Sequence, residues 1–554
     1  MRIALGQLNA TVGDIDGNVA RVVNGIRQAR QLGADIVAFP EMVVTGYPPQ
    51  DLLYERDFVR ANRHALEVIG RESTGITAVV GFVDHDEKWK LFNAAAVLGE
   101  GRVLSVIHKT LLPTYDVFDE ARYFTSARPE DIRPVLVMTR SGEVPLGIEI
   151  CEDLWDDSYD VKVTDILKSR GAQLILNLSA SPFHVGKALE RSRVVTSKAT
   201  RSKLPVLLVN LVGGQDELVF DGHSMASDPD GNVIAYARGF EEDMMVVDLM
   251  EGRGPAIPLP EQDRAKETFD ALVLGLRDYF RKTGFKMAVL GLSGGIDSAV
   301  TACIAAEALG PENVVGFSMP SRFSSEHSKT DAELLADNLG IHYLQFSIQD
   351  IVDSYHESLS STWQRLRESL DIHPDEEDPV ADENIQPRVR GNCLMDFSNR
   401  FRGLKMLVLN TGNKTELALG YCTLYGDMTG GVGVIGDVSK KQVYELAHYI
   451  NQRKGRDVIP IGSITKRPSA ELRPDQFDPF DFDIVSPLVD EIIEKRTGRR
   501  ELIEMGYPPE VVDDVYSRIR RAEYKRWQAP PCIRVTRRAF GTGWKMPIVN
   551  LYRG

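Results

Sequence analysis

Apolar residues in the first 250 positions fall into short runs, at 3–8, 35–39, 76–83, 94–98, 145–150, 173–178 and 204–211. Each is of strand length. Between several of them apolar positions recur at helical spacing, at 18–32, 57–70, 160–169 and 187–201. This pattern predicts an α/β domain with substantial sheet over residues 1–250. Residues 251–262 are rich in Gly and Pro, cannot sustain a helix, and read as a linker. Beyond them, a helix over 263–282 precedes strands at 286–292, 313–318 and 342–347, with helices at 297–309 and 324–339 between. Alternation of this kind predicts a doubly wound parallel sheet for residues 263–554. The acidic stretch 373–383 contains two prolines and no apolar period, and reads as a mobile surface loop able to act as a lid.

With 554 residues, both halves can bury a full core. The formal charge of -15, from 65 basic and 80 acidic residues, disfavours general nucleic-acid or anionic-membrane binding, while leaving small anionic ligands open. The first residues read as a strand rather than a signal peptide. No apolar run approaches the ~18 residues of a membrane span, so a cytoplasmic protein is expected. The five cysteines form no Cys-x-x-Cys pair, which argues against a zinc ribbon or a dithiol site.

Candidate chemistry concentrates in two places. Val289-Leu290-Gly291-Leu292-Ser293-Gly294-Gly295-Ile296-Asp297-Ser298 runs from an apolar strand through a Gly pair into a helix start. Free N–H groups and the helix dipole at such a point suit a phosphate, and the Ser293 and Ser298 hydroxyls add donors. A second strand ends in Asn410-Thr411-Gly412-Asn413-Lys414-Thr415-Glu416. Glu416 and Asp297 are candidates to share a divalent cation with a nucleotide, magnesium favouring hard oxygen ligands. The plainer alternative is acids placed in first helical turns.

In the first half, Glu41, Lys109 and Cys151 each follow a strand-like run. A thiolate is a nucleophile, a carboxylate can take its proton, and an ammonium can stabilise a tetrahedral oxyanion. Taken singly, each also reads as an ordinary loop acid, surface lysine or buried cysteine.

Three segments set these residues in context: Phe39-Pro40-Glu41-Met42, His108-Lys109-Thr110-Leu111-Leu112-Pro113 and Ile150-Cys151-Glu152-Asp153-Leu154-Trp155. In order and spacing they resemble the Glu-Lys-Cys triad segments of the nitrilase superfamily. That resemblance implies an αββα sandwich, carbon–nitrogen bond cleavage through a cysteine thioester, and Glu120 as a second glutamate beside the lysine. It also implies a glutamine pocket at Tyr115, Glu152, Ser179 and Ser181; Lys187 is left unassigned. The Ser293–Ser298 string resembles the pyrophosphate loop of ATP pyrophosphatases. Together with Leu424-Tyr425-Gly426-Asp427, Val438-Ser439-Lys440-Lys441 and Thr465-Lys466-Arg467-Pro468-Ser469 it resembles NAD synthetase. The order of the two halves is that of the glutamine-dependent NAD synthetase family.

By that resemblance Gly291, Ser293, Gly294, Gly295, Asp297, Ser298, Thr411, Lys440 and Ser469 would hold ATP as co-substrate. Asn384, Arg388, Arg390, Glu416 and Asp427 would hold deamido-NAD, and Asp297 and Glu416 would hold Mg2+. The implied reaction is ATP-dependent amidation of deamido-NAD through an adenylated intermediate, with ammonia from glutamine and with AMP, pyrophosphate and glutamate as products. Homo-oligomers are implied as well. Pro387 departs from the pattern, removing a backbone donor and restricting Gln386 ahead of the two arginines. The tRNA-modifying relatives would call for a positive surface or a cysteine pair, and neither is present. The basic tail 534–540 resembles the family's C-terminus and suggests no chemical role.

Overall fold

The computed structural model describes residues 1–255, 263–373 and 378–552. The chain divides into two compact units, Met1–Arg264 and Ala265–Gly554.

The first unit contains β1 (Arg2–Gln7), α1 (Ile15–Gln31), β2 (Ile36–Ala38), α2 (Arg56–Arg71), β3 (Thr77–His85), β4 (Leu91–Gly99) and β5 (Arg102–His108). There follow β6 (Val135–Thr139), β7 (Gly142–Ile150), α3 (Val163–Ser169), β8 (Leu174–Ser179), α4 (Lys187–Ser202) and β9 (Val206–Asn210). A hairpin of β10 (Val212–Gln215) and β11 (Leu218–Asp221), then β12 (Met225–Ser227), β13 (Val233–Tyr236) and β14 (Asp243–Asp248), complete it. Two six-stranded sheets form, in the orders β14-β1-β2-β3-β4-β5 and β13-β12-β9-β8-β7-β6.

Side-chain alternation explains the layering. Ile3, Leu5, Ile36, Ala38 and Val79 pack with Ile148, Ile150, Leu176 and Leu178 between the two sheets. Their neighbours Ala4, Val37, Ala78 and Val80 face the other way, onto Val22 and Ile26 of α1 and Leu66 and Ile69 of α2. Ile175, Val206 and Leu208 do the same for α3 and α4 through Val163, Leu167, Val195 and Ala199. Strands buried on both faces read as continuous apolar runs, so the runs were visible in the sequence. The resulting four layers are the expected αββα sandwich. The short strands β10 to β14 were not expected, since three to six residues carry little period. Among them β14 closes the first sheet by pairing antiparallel with β1, Ile3 opposite Val247.

The expected linker differs in part. Residues 251–255 belong to the first unit, where Gly254 N–H donates to Ile234 O at 2.9 Å and Tyr236 N–H to Pro255 O at 3.2 Å. The remainder, 256–262, lies outside the described residues.

The second unit runs α5 (Arg264–Thr283), β15 (Met287–Gly291), α6 (Ile296–Leu309), β16 (Val314–Ser318), α7 (Glu326–Leu339), β17 (His342–Gln345), α8 (Gln349–Leu370), α9 (Val380–Arg400), β18 (Met406–Asn410), α10 (Lys414–Leu419) and β19 (Val432–Gly433). Helices α11 (Lys440–Lys454), α12 (Ile461–Thr465), α13 (Phe482–Glu494), α14 (Arg499–Glu504), α15 (Pro509–Arg521) and α16 (Glu523–Arg526) follow. The sheet is five-stranded, β17-β16-β15-β18-β19, and parallel throughout. Strand order reverses between β15 and β18, which opens a crevice beyond their carboxyl ends.

The expected loop at 373–383 is corrected in part: residues 380–383 are the first turn of α9, and 374–377 lie outside the described residues. The segment around Thr536 is also tied down. Thr536 donates to Asp437 from both its N–H and its hydroxyl, at 2.7 Å each, and its hydroxyl accepts from Lys414 Nζ at 3.2 Å. Lys414 is wholly buried and also reaches Glu494 at 2.8 Å and Asp490 at 3.3 Å. Among the described residues no helix is long and apolar enough to cross a membrane.

Candidate active sites

In the first unit, Glu41 lies three residues beyond β2, Lys109 directly follows β5 and Cys151 directly follows β7. Two of these strands belong to one sheet and the third to the other, so the residues meet where the two sheets end. All three are buried, as is Glu120. Lys109 Nζ donates to Glu41 Oε1 at 2.8 Å and to both oxygens of Glu120 at 2.9 Å. Tyr47 OH donates to Glu120 Oε1 at 3.0 Å, and Ala180 N–H donates to Glu41 Oε2 at 2.9 Å.

Burial works against the Lys109 ammonium, yet Glu120 and Glu41 outweigh it and hold the group charged well above the ordinary lysine range. Burial pushes the Cys151 thiol well up; Glu41 adds to this and Lys109 opposes it. A thiol held in this way would need a base beside it to act as a nucleophile.

Cys151 stands at φ 45°, in the left-handed region, a conformation that costs energy for a residue with a Cβ and that clusters at functional sites. Asp153 secures this turn, accepting from Ile150 N–H at 3.1 Å, Thr110 N–H at 3.1 Å and Leu111 N–H at 2.8 Å. One buried carboxylate thus ties the cysteine turn to the lysine loop. Its role was not apparent from the motif, where it is one acid among several. Burial lifts its carboxyl to about 7, against the pull of the Leu111 N–H and Lys109.

Of the four expected glutamine-pocket residues, Tyr115 and Glu152 are joined, the phenol donating to both carboxylate oxygens at 3.1 Å. Tyr159, not anticipated, donates to the same carboxylate at 2.9 Å. Ser179 is turned inward: its hydroxyl donates to Asn177 Oδ1 at 2.6 Å, and the Asn177 amide donates to Cys151 O at 3.3 Å. Ser181 presents its N–H to Asn210 Oδ1 at 2.9 Å. Lys187, left unassigned, lies over the Trp155 ring, 3.8 Å from its centroid.

In the second unit, the loop after β15 and the loop after β18 border a cavity of about 330 Å3. Gly291, Ser293, Gly295, Asp297, Ser298, Thr411, Glu416, Asp427, Lys440, Ser469 and Arg390 line it. The loop is preorganised: Ser298 Oγ lies 3.2 Å from Ser293 Oγ and donates to Gly295 O at 3.0 Å, and Ser463 donates to Gly294 O at 2.9 Å. Gly294 itself, at φ 75°, supports the loop without lining the cavity. Lys466 and Arg467 line the cavity too; they sit in a motif that had pointed only to Ser469.

The arginine pair separates. Alternate positions share a face on a strand but not on a helix, and both residues lie on α9. Arg390 lines the cavity and donates to Met319 O at 3.0 Å, its affinity for the proton lowered by burial to about 10. Arg388 is exposed, does not line the cavity, and donates to Leu424 O at 3.3 Å. Pro387 lies inside α9, which continues through it, and Gln386 donates to Leu472 O at 2.8 Å. Asn384 is also outside the lining; its Oδ1 accepts from the Thr423 hydroxyl at 2.7 Å, and Thr423 N–H donates to Asp427 at 2.7 Å.

Asp297 and Glu416 converge on Lys440, whose ammonium is hydrogen-bonded to Asp297 and lies 3.5 Å from Glu416. Burial and the neighbouring Asp297 raise Glu416 to about 8, against the pull of Lys440. No group of three or more His, Cys, Asp and Glu suited to a metal occurs among the described residues. Two carboxylates with a positive charge already between them nevertheless fit magnesium, which takes one or two protein carboxylates and completes its shell with phosphate oxygens and water.

A buried Cys-Lys-Glu cluster in an αββα sandwich and a Gly-rich loop at the switch point of a parallel sheet are the arrangement expected of an enzyme that joins amide hydrolysis to nucleotide chemistry. Residues 2–254 match the carbon-nitrogen hydrolase family and residues 268–529 match NAD synthase. The chain belongs to the glutamine-dependent NAD(+) synthetases. It is 39% identical to that enzyme of Thermotoga maritima, with 100% of this chain and 99% of the relative aligned, and 41% identical to that of Synechocystis, with 99% of each aligned. The structure of the Acinetobacter baumannii enzyme in complex with ADP superposes with a TM-score of 0.77 at 35% identity, covering 99% of this chain and 98% of that one. The Cytophaga hutchinsonii enzyme shares the fold, with a TM-score of 0.84 at 21% identity over 99% of this chain and 98% of that one. The chain is accordingly a ligase of NAD synthesis that uses glutamine as amide donor.

Proposed function

We propose that the chain amidates deamido-NAD in two coupled reactions, one in each unit. In the first unit Glu41 takes the Cys151 proton as sulfur attacks the glutamine carboxamide carbon, and Lys109 stabilises the oxyanion. The carbon–nitrogen bond breaks as Glu41 returns the proton to the leaving nitrogen. Water, deprotonated by Glu41, then attacks the thioester carbon; the carbon–sulfur bond breaks, glutamate is released, and Glu41 returns the proton to the Cys151 sulfur. The single observation that carries this reading is the buried Lys109 bridging Glu41 and Glu120 beside a Cys151 thiol in a left-handed turn.

In the second unit the loop from Ser293 to Ser298 receives the phosphates of ATP. The nicotinate carboxylate of deamido-NAD attacks the α-phosphorus and pyrophosphate leaves. Ammonia attacks the acyl carbon of the mixed anhydride, AMP leaves, a proton is lost, and NAD remains. Lys440, Lys466 and Ser469 hold phosphate oxygens, while Asp297 and Glu416 hold magnesium. Magnesium supplies charge neutralisation of the triphosphate. Lys440 gives up part of its hold on the two acids when it turns to the phosphates. Ammonia is mostly ammonium at neutral pH and reacts only as the free base, so transfer without release to solvent serves the coupling.

The deciding experiment supplies deamido-NAD, ATP and magnesium, with glutamine or ammonium as nitrogen donor, and follows NAD and AMP. Cys151→Ala keeps the ammonium reaction and loses the glutamine reaction. No NAD with either donor refutes the reading, as does a Cys151→Ala enzyme that still uses glutamine.

A further inference from the structure

Asn93 belongs to none of the motifs read from the sequence, yet it stands inside the charge cluster of the first unit. It projects from β4, wholly buried. Its Nδ2 donates to Glu41 Oε1 at 2.7 Å and to Glu120 Oε2 at 3.3 Å. Its backbone carbonyl accepts from Lys109 N–H at 2.8 Å. One side-chain amide thus contacts both acids, and the same residue fixes the backbone of the lysine.

Two carboxylates here share one ammonium, so the buried cluster carries an excess negative charge. Two acids drawn to one cation would also draw toward each other, and one would take up a proton. A neutral donor between them relieves this without a second cation, which would quench the base. We propose that Asn93 is a positioning residue for glutamine hydrolysis: by donating to both carboxylates it keeps Glu41 and Glu120 apart and holds Glu41 ready as the base. The inference rests on the reading of Glu41 as base and Cys151 as nucleophile.

The remaining contacts agree. Glu41 Oε1 is held by Lys109 and Asn93, and Oε2 by the Ala180 N–H at 2.9 Å. Donors from three separate segments therefore set the plane of the carboxylate. Around Glu120 stand Lys109, Glu41, Tyr47 and Asn93. Burial raises the Glu120 carboxyl; Lys109 opposes the rise, Glu41 adds to it, and the Asn93 hydrogen bond is among the contacts holding it down. Removing that donor moves Glu120 further up, so it protonates at higher pH and loosens its grip on Lys109.

The test measures glutamate release across pH for the full chain carrying Asn93→Leu, which keeps the branching at Cγ and removes the donors, or Asn93→Asp, which keeps the shape and adds a third acid. NAD formation from ammonium reports that the other unit is intact, and the melting transition reports folding of the first. The expected result is a fall in kcat of about 10–100-fold, the size of a lost charge-assisted hydrogen bond, with KM for glutamine within about threefold. The acid limb of the profile moves to higher pH in Asn93→Leu and further in Asn93→Asp. Parental kcat in Asn93→Leu overturns the proposal. So does a loss of activity with an unmoved pH profile that tracks lowered thermal stability, which marks Asn93 as packing only. If Asn93→Leu does not fold, the acid limb of Asn93→Asp decides alone. Glutamine hydrolysis surviving in Cys151→Ala refutes the parent reading instead.

Discussion

Gly294→Ala would place one methyl group where the backbone has no room for it. Gly294 adopts φ 75°. A Cβ built there falls 2.2 Å from Ser328 O, 2.7 Å from Ser328 Cα and 2.8 Å from its carbonyl carbon, all backbone in the first turn of α7. Carbon atoms rest at about 3.5–4 Å from their neighbours, so loop and helix must part by roughly 1 Å. The left-handed conformation adds about 1–2 kcal/mol for alanine. A misplacement of about 1 Å is enough to cost ~100-fold in rate. Gly295→Ala supplies the contrast: its φ is -85°, and the nearest atom to an added Cβ is the movable Ser293 Oγ at 3.2 Å. NAD and AMP formation with ammonium as donor, titrated with ATP, should show kcat/KM for ATP down about 100-fold in Gly294→Ala and much less in Gly295→Ala. Gly294→Ala within about threefold of the parent, or Gly295→Ala as the worse variant, would refute the steric reasoning.

Lys109→Met should abolish glutamine hydrolysis and destabilise the first unit by about 3–5 kcal/mol, because it leaves two buried carboxylates without their cation; adding Glu120→Gln should recover part of the melting temperature, and no recovery would argue against the charge explanation. Glu416 is raised to about 8, so its acid is largely protonated at pH 7 and a bound divalent cation must displace that proton. Magnesium–nucleotide binding should therefore release protons and tighten as pH rises toward 8, which calorimetry in buffers of different ionisation enthalpy checks; proton-neutral binding would contradict it. Asp437→Ala strips the Val535 and Thr536 N–H groups of their acceptor and takes one acid from Lys414. It should cost about 3–5 kcal/mol and expose residues 535–540 to limited proteolysis, and an unchanged cleavage pattern would count against it.

The chain's own pattern determined a good deal. Runs buried on both faces announced the central strands of each sheet, and the Gly pair between apolar strand and helix announced the turn that borders the cavity, because these are local consequences of composition and backbone freedom. That Glu41, Lys109 and Cys151 belong together was legible through the segments around them, and the structure brings them to one place. What stayed hidden depends on which strands become neighbours. Asn93 is an ordinary polar residue in sequence and joins the acids only because β4 lies beside β5 in the first sheet. Asp153 braces Lys109's loop only because the two sheets end together. The resemblance put both arginines at the dinucleotide, and the helix through Pro387 turned Arg388 away while leaving Arg390 in the cavity. The tail at 534–540 looked like a basic terminus, yet Thr536 and Asp437, 99 residues apart, complete the setting of Lys414. Local sequence fixes periodicity and turns; a hydrogen bond across tens of residues is decided by packing, and that physical fact divides what each could tell about this ligase.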